Sequence, residues 1–357
     1  MFAPIVVGVL SFILSLGLMQ FRYSNAKIFV VFLPVFVFLA LRYNYGNDYL
    51  GYLGIFEDIA SRPVLSYEYE EFRIEIGWLA LNRIFAVIGF FPMIAFLAFV
   101  NCYLLGRFVR RFVSARYYWV AVLIYIFFPG NMLIQASAMR QTVAIGLFLL
   151  AVEFLVDRRA IAYSVCMAIA MLFHTSVGVL FPIYLIGDKR IHIRPFASLI
   201  LILLYALVII FSKSIVSFLL GSLEVFGVFD RYAVYEAEGV ISSGLGILLN
   251  FANLLLLLYF HDKQSFDVRV VFRVAIFGLY VSAIAISLEI LGRMAFYFSV
   301  ISMVTVPLIF ISIRGKYLKI IYLMATFAGF MYMYIQFFSS PIYGPMYRVY
   351  DSILSQF

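Results

Sequence analysis

Arginines and a histidine at the ends of apolar runs are the residues of this chain best suited to chemistry. The stretch from Arg140 to Ser176 reads RQTVAIGLFLLAVEFLVDRRAIAYSVCMAIAMLFHTS, an apolar hairpin turned by Asp157-Arg158-Arg159, with Arg140 and His174 at the far ends of its limbs. The limb 141–156 carries one charge, Glu153, and the limb 160–173 carries none. At about 1.5 Å per residue each limb just reaches, or falls slightly short of, a ~30 Å hydrocarbon core. With the basic turn on the inner side, Arg140 and His174 are expected to meet near the outer face. An ionisable group at membrane depth costs roughly 2.5–3.5 kcal/mol on insertion scales, so its presence there calls for a reason. The plain alternative is that Arg140 snorkels to the interface and His174 caps a helix end.

Three more arginines occupy comparable places. Arg42 and Arg293 stand at the ends of apolar runs, and Arg231 lies in a polar segment. Guanidinium is always charged and donates two parallel hydrogen bonds to phosphate oxygens, so several arginines facing one cavity suit an anion, and a diphosphate best. Asp48, Glu75, Glu289 and His174 are expected at the same level, either pairing with the arginines or acting as acid–base groups. His174 is the one histidine placed outside, and imidazole titrates near neutral pH. Tyrosines, among them Tyr49, Tyr52, Tyr232 and Tyr297, add flat surfaces suited to sugar rings, or else form an interfacial aromatic belt. The sequence holds no phosphate-binding lysine loop, dinucleotide glycine run, G-x-S-x-G or metal-ligand spacing, so neither a metal nor another cofactor is expected.

The elements that position these residues follow from composition. The chain has 357 residues, is 66% hydrophobic and only 12% charged, which reads as a polytopic membrane protein rather than a soluble domain. Mean hydropathy is +1.07. The net charge of +8 does not point to nucleic acid, because the basic residues sit in short loops between apolar runs. Cys102 and Cys166 both lie in apolar spans, so no disulfide is expected. The run Phe2–Met19 has no positive charge before it and Arg22 and Lys27 after it, which fits a first span with its N-terminus outside.

The apolar runs predict about twelve spans in an all-α, single transmembrane domain covering 1–357: 2–20, 28–42, 91–106, 117–129, 138–156, 160–173, 175–187, 195–219, 245–260, 271–288, 294–312 and 317–338. Between them lie an external loop, 43–90, with an amphipathic helix near 75–89, a second external loop, 220–244, and an external tail, 339–357. The two short spans before and after His174 are expected to be tilted or interrupted there, which is tolerated where the backbone lines a protein cavity. Of 26 basic residues, 17 fall in the assigned inner loops, whereas 13 of the 18 acidic residues fall outside. That asymmetry sets the orientation.

Short motifs then carry a resemblance. Arg42-Tyr43-Asn44-Tyr45-Gly46-Asn47-Asp48-Tyr49 followed by Tyr52 resembles the R-x-x-x-G-x-D-Y-x-x-Y opening of the EpsG-like branch of Wzy-type polysaccharide polymerases. Glu75-x-Gly77, Arg140-Gln141, Phe173-His174-Thr175-Ser176 and Gly292-Arg293-x-x-x-Tyr297 follow in that family's order, with Asn47 where a threonine is common. The resemblance implies a multi-pass enzyme of the bacterial inner membrane. It would join oligosaccharide repeat units carried on undecaprenyl diphosphate, for O-antigen or a similar surface polysaccharide, at the periplasmic face. It also implies a fold related to lipid-linked-sugar (GT-C-like) glycosyltransferases, contact with membrane lipid, and a chain-length regulator and a flippase as partner proteins. On that basis Arg140 and Arg293, assisted by Arg42 and Arg231, are expected to hold the diphosphate. His174 is the first choice of base, with Asp48 or Glu75 the alternative. Two other functions compete. A lipid-linked-sugar flippase would want basic groups through the membrane depth, and spans 2–7 show none at mid-depth. A membrane acyltransferase would want its histidine within reach of a cytoplasmic acyl donor, and His174 is placed outside.

Overall fold

The computed structural model describes residues 1–18, 24–62, 74–188, 190–224, 244–287 and 289–356. It is built almost wholly of helices, arranged in two compact units: Met1–Pro182 with Lys316–Phe357, and Ile183–Gly315.

In the first unit, α1 (Phe2–Gly17) and α2 (Ser24–Ala40) lead into a two-residue strand, β1 (Arg42–Tyr43). Among the described residues, the 43–90 segment carries α3 (Tyr49–Ser61) besides the expected helix near 75–89, α4 (Ile76–Phe85). Then come α5 (Phe90–Phe112), α6 (Tyr118–Phe127), the one-and-a-half-turn α7 (Met132–Ser137), α8 (Met139–Val156) and α9 (Ala160–Met171). The span predicted at 175–187 is a 3-10 helix, Thr175–Gly187, with Pro182 inside it. Proline lacks the amide that an α-helix would use there. The unit is closed by α16 (Lys316–Ser339), a short helix α17 (Gly344–Tyr347) and β2 (Asp351–Ser352).

Helices α8 and α9 pack as the predicted hairpin, α2 lies along α5, and α5 lies along α8. The lone charge of the α8 limb is accounted for at the α5–α8 contact. The Glu153 side chain, 3% exposed, accepts from Arg107 Nε at 3.1 Å and lies 3.6 Å from Arg111. Arg110 and Arg111 fall in the last turn of α5, where the helix dipole favours cations. The C-terminal tail folds back on the Arg42 segment. Arg42 pairs with Ser352 and Tyr43 with Asp351 in antiparallel register, and Ile353 donates its amide to the Leu41 carbonyl at 2.9 Å. Tyr350 donates to the Phe38 carbonyl at 2.8 Å and stacks on the Phe38 ring.

The second unit contains α10 (Pro195–Ile210), α11 (Ser212–Glu224), α12 (Gly244–His261), α13 (Phe266–Ile284), α14 (Glu289–Ser299) and α15 (Ser302–Ser312). Helix α13 is its axis, packed by α10, α12 and α14. Arg273 on α13, 7% exposed, donates to the carbonyls of Ile186 at 2.8 Å, Asp188 at 2.5 Å and Ile191 at 3.0 Å, which ties the 186–191 turn to the helix.

Among the described residues, five helices are long and apolar enough to cross a membrane, and seven if each of two bent pairs counts as one span. The bent pairs correspond to the predicted spans 195–219 and 294–312, the second starting at Gly292, and turn by 73° and 48°. The remaining five predicted spans are apolar helices of 10–17 residues, shorter than the ~20 residues an upright crossing needs. The chain is therefore an all-α membrane protein with several apolar helices.

Candidate active site

Three segments of the first unit meet at the start of α8. Arg140 is the second residue of that helix, at the positive end of its dipole, an unfavourable place for a cation. Glu75 offsets it: Arg140 Nη1 donates to Glu75 Oε2 at 2.5 Å, with the side chains 30% and 14% exposed. Glu75 is itself the N-cap of α4, where a carboxylate is favoured. Arg140 Nε also donates to the Tyr52 hydroxyl at 3.4 Å, and the guanidinium lies 5.8 Å from that ring's centre. Burial pushes the Tyr52 phenol up from its ordinary range, against the pull of Arg140, so the hydroxyl stays protonated. Asp48 acts on the same phenol through its charge.

Asp48 begins α3 as its N-cap, and its amide donates to Ser137 Oγ at 3.0 Å. Two residues earlier Gly46 has φ +108°, and a Cβ there would come within 3.0 Å of the Ser137 side chain. A residue with a side chain would be strained in that conformation and crowded as well. The Gly46–Asp48 turn is thus seated on the junction between α7 and α8, three residues before Arg140.

His174 joins the same region through the backbone. Its motif starts where α9 ends, and the Gly77 amide donates to the Leu172 carbonyl at 2.7 Å. A Cβ on Gly77 would sit 2.6 Å from that oxygen, so the spacing Glu75-x-Gly77 is set by this close approach. Phe173 packs against the core cluster that contains Tyr52, Trp78 and Met139. The His174 ring is half-buried, with Nδ1 2.7 Å from Ser176 Oγ, so Ser176 orients the imidazole.

Other expected site residues are placed differently. Arg42 does not stand at an open mouth: it is 4% exposed, and its guanidinium donates to the carbonyls of Leu39 and, at 3.1 Å, Ala136. Tyr49 and Tyr297 are fully buried and Tyr52 is 7% exposed, so their faces are packed rather than offered to a sugar. The Tyr52 ring meets Trp78 edge-on, and Tyr49 meets Phe90 in the same way. Arg293 is exposed on α14 of the second unit. Arg231 and Tyr232 lie outside the described residues, as do the side chain of Glu289 and most of the 220–244 loop. Ser137 and the Leu172 carbonyl were not singled out from sequence. The first had one signal, its position three residues before Arg140; a backbone carbonyl has none.

Arg140, Glu75 and neutral Tyr52 are in direct contact, with exposed Asp48 and half-buried His174 on the segments bonded to theirs. A family model described as the EpsG family matches residues 25–350, nearly the whole chain, and the chain belongs to that family. Membership points to a polymerase-like, glycosyltransferase-like role in polysaccharide biosynthesis. No curated protein and no solved structure matches the chain.

Proposed function

We propose that this EpsG-family chain is a metal-independent polysaccharide polymerase of the bacterial inner membrane, spanning it about twelve times. It transfers a growing glycan from undecaprenyl diphosphate to a hydroxyl of a new lipid-linked repeat unit at the periplasmic face. The observation that carries this reading is the Arg140–Glu75 pair, held beside Tyr52 and next to the His174 segment in a chain of this family.

The reaction breaks the bond between the donor sugar's anomeric carbon and a diphosphate oxygen. A bond forms from that carbon to the acceptor hydroxyl oxygen, a base takes the hydroxyl proton, and undecaprenyl diphosphate departs. Its leaving group is already good, so stabilising the developing charge supplies much of the rate. Arg140 meets the diphosphate with its planar fork. Doing so draws the guanidinium away from Glu75 and leaves that carboxylate as one candidate base. His174 is the other acceptor. Its Nδ1 lies 2.7 Å from Ser176 Oγ, which orients the ring for that role. Asp48 is the third candidate. On sequence grounds Arg293 and Arg231 are further diphosphate ligands, and the partner proteins are a chain-length regulator and a flippase.

The test is the surface polysaccharide of a deletion strain resolved on a gel. Loss of the ladder with a single repeat unit retained is expected. Loss of every repeat unit, or an intact ladder, would reject the polymerase.

A further inference from the structure

Below the Arg140 site, the first unit holds a cavity of about 20 Å³ lined by residues of α2, α5, α7, α8 and the Arg42 turn. Its walls are mostly aliphatic, from Leu39, Leu97, Leu104 and Val143 among others, but Arg42, Asn101 and Gln135 line it too. These three are 4%, 5% and 3% exposed. Each has buried polar atoms without a protein hydrogen-bond partner: Arg42 Nε, Asn101 Oδ1, and both Gln135 Oε1 and Nε2. The rest of each group is committed. Arg42 uses its other nitrogens on the Leu39 and Ala136 carbonyls, and Asn101 Nδ2 donates to the Tyr125 hydroxyl at 2.9 Å. A buried polar atom without a partner costs about 1–3 kcal/mol, so several in one place call for a shared one.

The chemistry selects the occupant. The orphaned set is two N–H donors, Arg42 Nε and Gln135 Nε2, and two carbonyl acceptors, Gln135 Oε1 and Asn101 Oδ1. One water molecule offers the complementary set, and a cavity needs roughly 10–15 Å³ to hold one. A halide would satisfy the donors and the cationic arginine but would face two carbonyl oxygens. We propose that this cavity binds an ordered water that joins Arg42, Gln135 and Asn101, and through Asn101 reaches Tyr125. Arg42 is then a positioning residue. It is braced by water on one side and by the Ala136 carbonyl on the other, and so sets the α7–α8 junction from which Arg140 extends. The proposal does not depend on which reaction the chain catalyses.

The test uses the full-length protein and readouts other than activity. A cryo-EM map of the wild type that shows ordered solvent should contain density within about 3.2 Å of Arg42 Nε and the Gln135 amide. Gln135→Met keeps the side chain's size and removes its polar atoms, and Asn101→Leu removes the second acceptor. Each should lower the melting temperature. Because both act on one water, the double variant should fall little further than the worse single variant. No density, or strictly additive losses, would each overturn the water site.

Discussion

The Gly77 amide donates to the Leu172 carbonyl at 2.7 Å, and through that bond the segment bearing Glu75 is held against the one bearing His174. Two short motifs almost a hundred residues apart in sequence are joined by a backbone hydrogen bond. Gly77→Ala would place a methyl 2.6 Å from the carbonyl oxygen, so the segments must separate. The expected result is a loss of stability of about 1–3 kcal/mol together with loss of polymer formation. An alanine variant with wild-type melting and a full ladder would show that the approach is dispensable.

Arg140→Lys keeps the charge but loses the fork that reaches Glu75 and Tyr52 together. Protein levels should be normal and polymerisation lost. A lysine variant that makes full-length polymer would reduce Arg140 to half of a structural ion pair.

His174→Ala should lower turnover by about 10²–10⁴-fold while leaving substrate binding nearly unchanged. Glutamine at 174 keeps a polar group that can meet Ser176 but cannot take the proton, so it should be as impaired as alanine. The measurement is polymerisation of lipid-linked repeat units by purified variants. Near-normal rates for His174→Gln would remove the histidine from the chemistry and leave Glu75 or Asp48.

Sidedness can be checked on two exposed serines, Ser61 at the end of α3 and Ser114 after α5. Both native cysteines are buried. In intact spheroplasts Ser61→Cys should react with an impermeant thiol reagent and Ser114→Cys should not. The reverse pattern would invert the orientation inferred from the basic loops.

Acid sensitivity is expected at the turn after α12. Burial pushes the Asp262 carboxyl up, but its hydrogen bonds with His261, at 2.6 Å, and the Ile193 amide outweigh that and hold it below its usual range. A depressed folded-state pKa stabilises the fold above the unfolded value near about 3.9, and that contribution is lost as pH falls through the folded value. Asp262→Asn should therefore melt lower than wild type at neutral pH, with the gap closing below about pH 4. Equal melting temperatures at neutral pH would mean that Asp262 adds no stability.

Apolar runs made the helices legible from sequence, because a segment such as 139–156 has few other ways to satisfy its backbone in lipid. The bend at 300–301 was not legible, since the run is apolar across it, whereas at 211 the polar Ser212-Lys213-Ser214 was a break that one long span passed over. Arg140 and His174 could be read as candidates because ionisable residues are rare beside such apolar runs. The burial of Tyr49 and Tyr52 could not. A tyrosine in a polar loop has the same pattern whether it waits for a sugar or packs on Trp78 and Phe90. Likewise Glu153 looked like an isolated charge until α5 brought Arg107 beside it.

The pairing of β1 with β2 also bears on biogenesis. Phe38 and Tyr350, which flank that pairing, are 312 residues apart, so the Arg42 turn is finished by a part of the chain synthesised long after it has entered the membrane. Until then Arg42-Tyr43 has no strand to pair with and Gly46 lacks the Met346 carbonyl that its amide reaches at 3.3 Å. A ribosome-bound or prematurely stopped chain would present an unfinished Arg42–Asp48 turn, which is completed only once translation has passed β2.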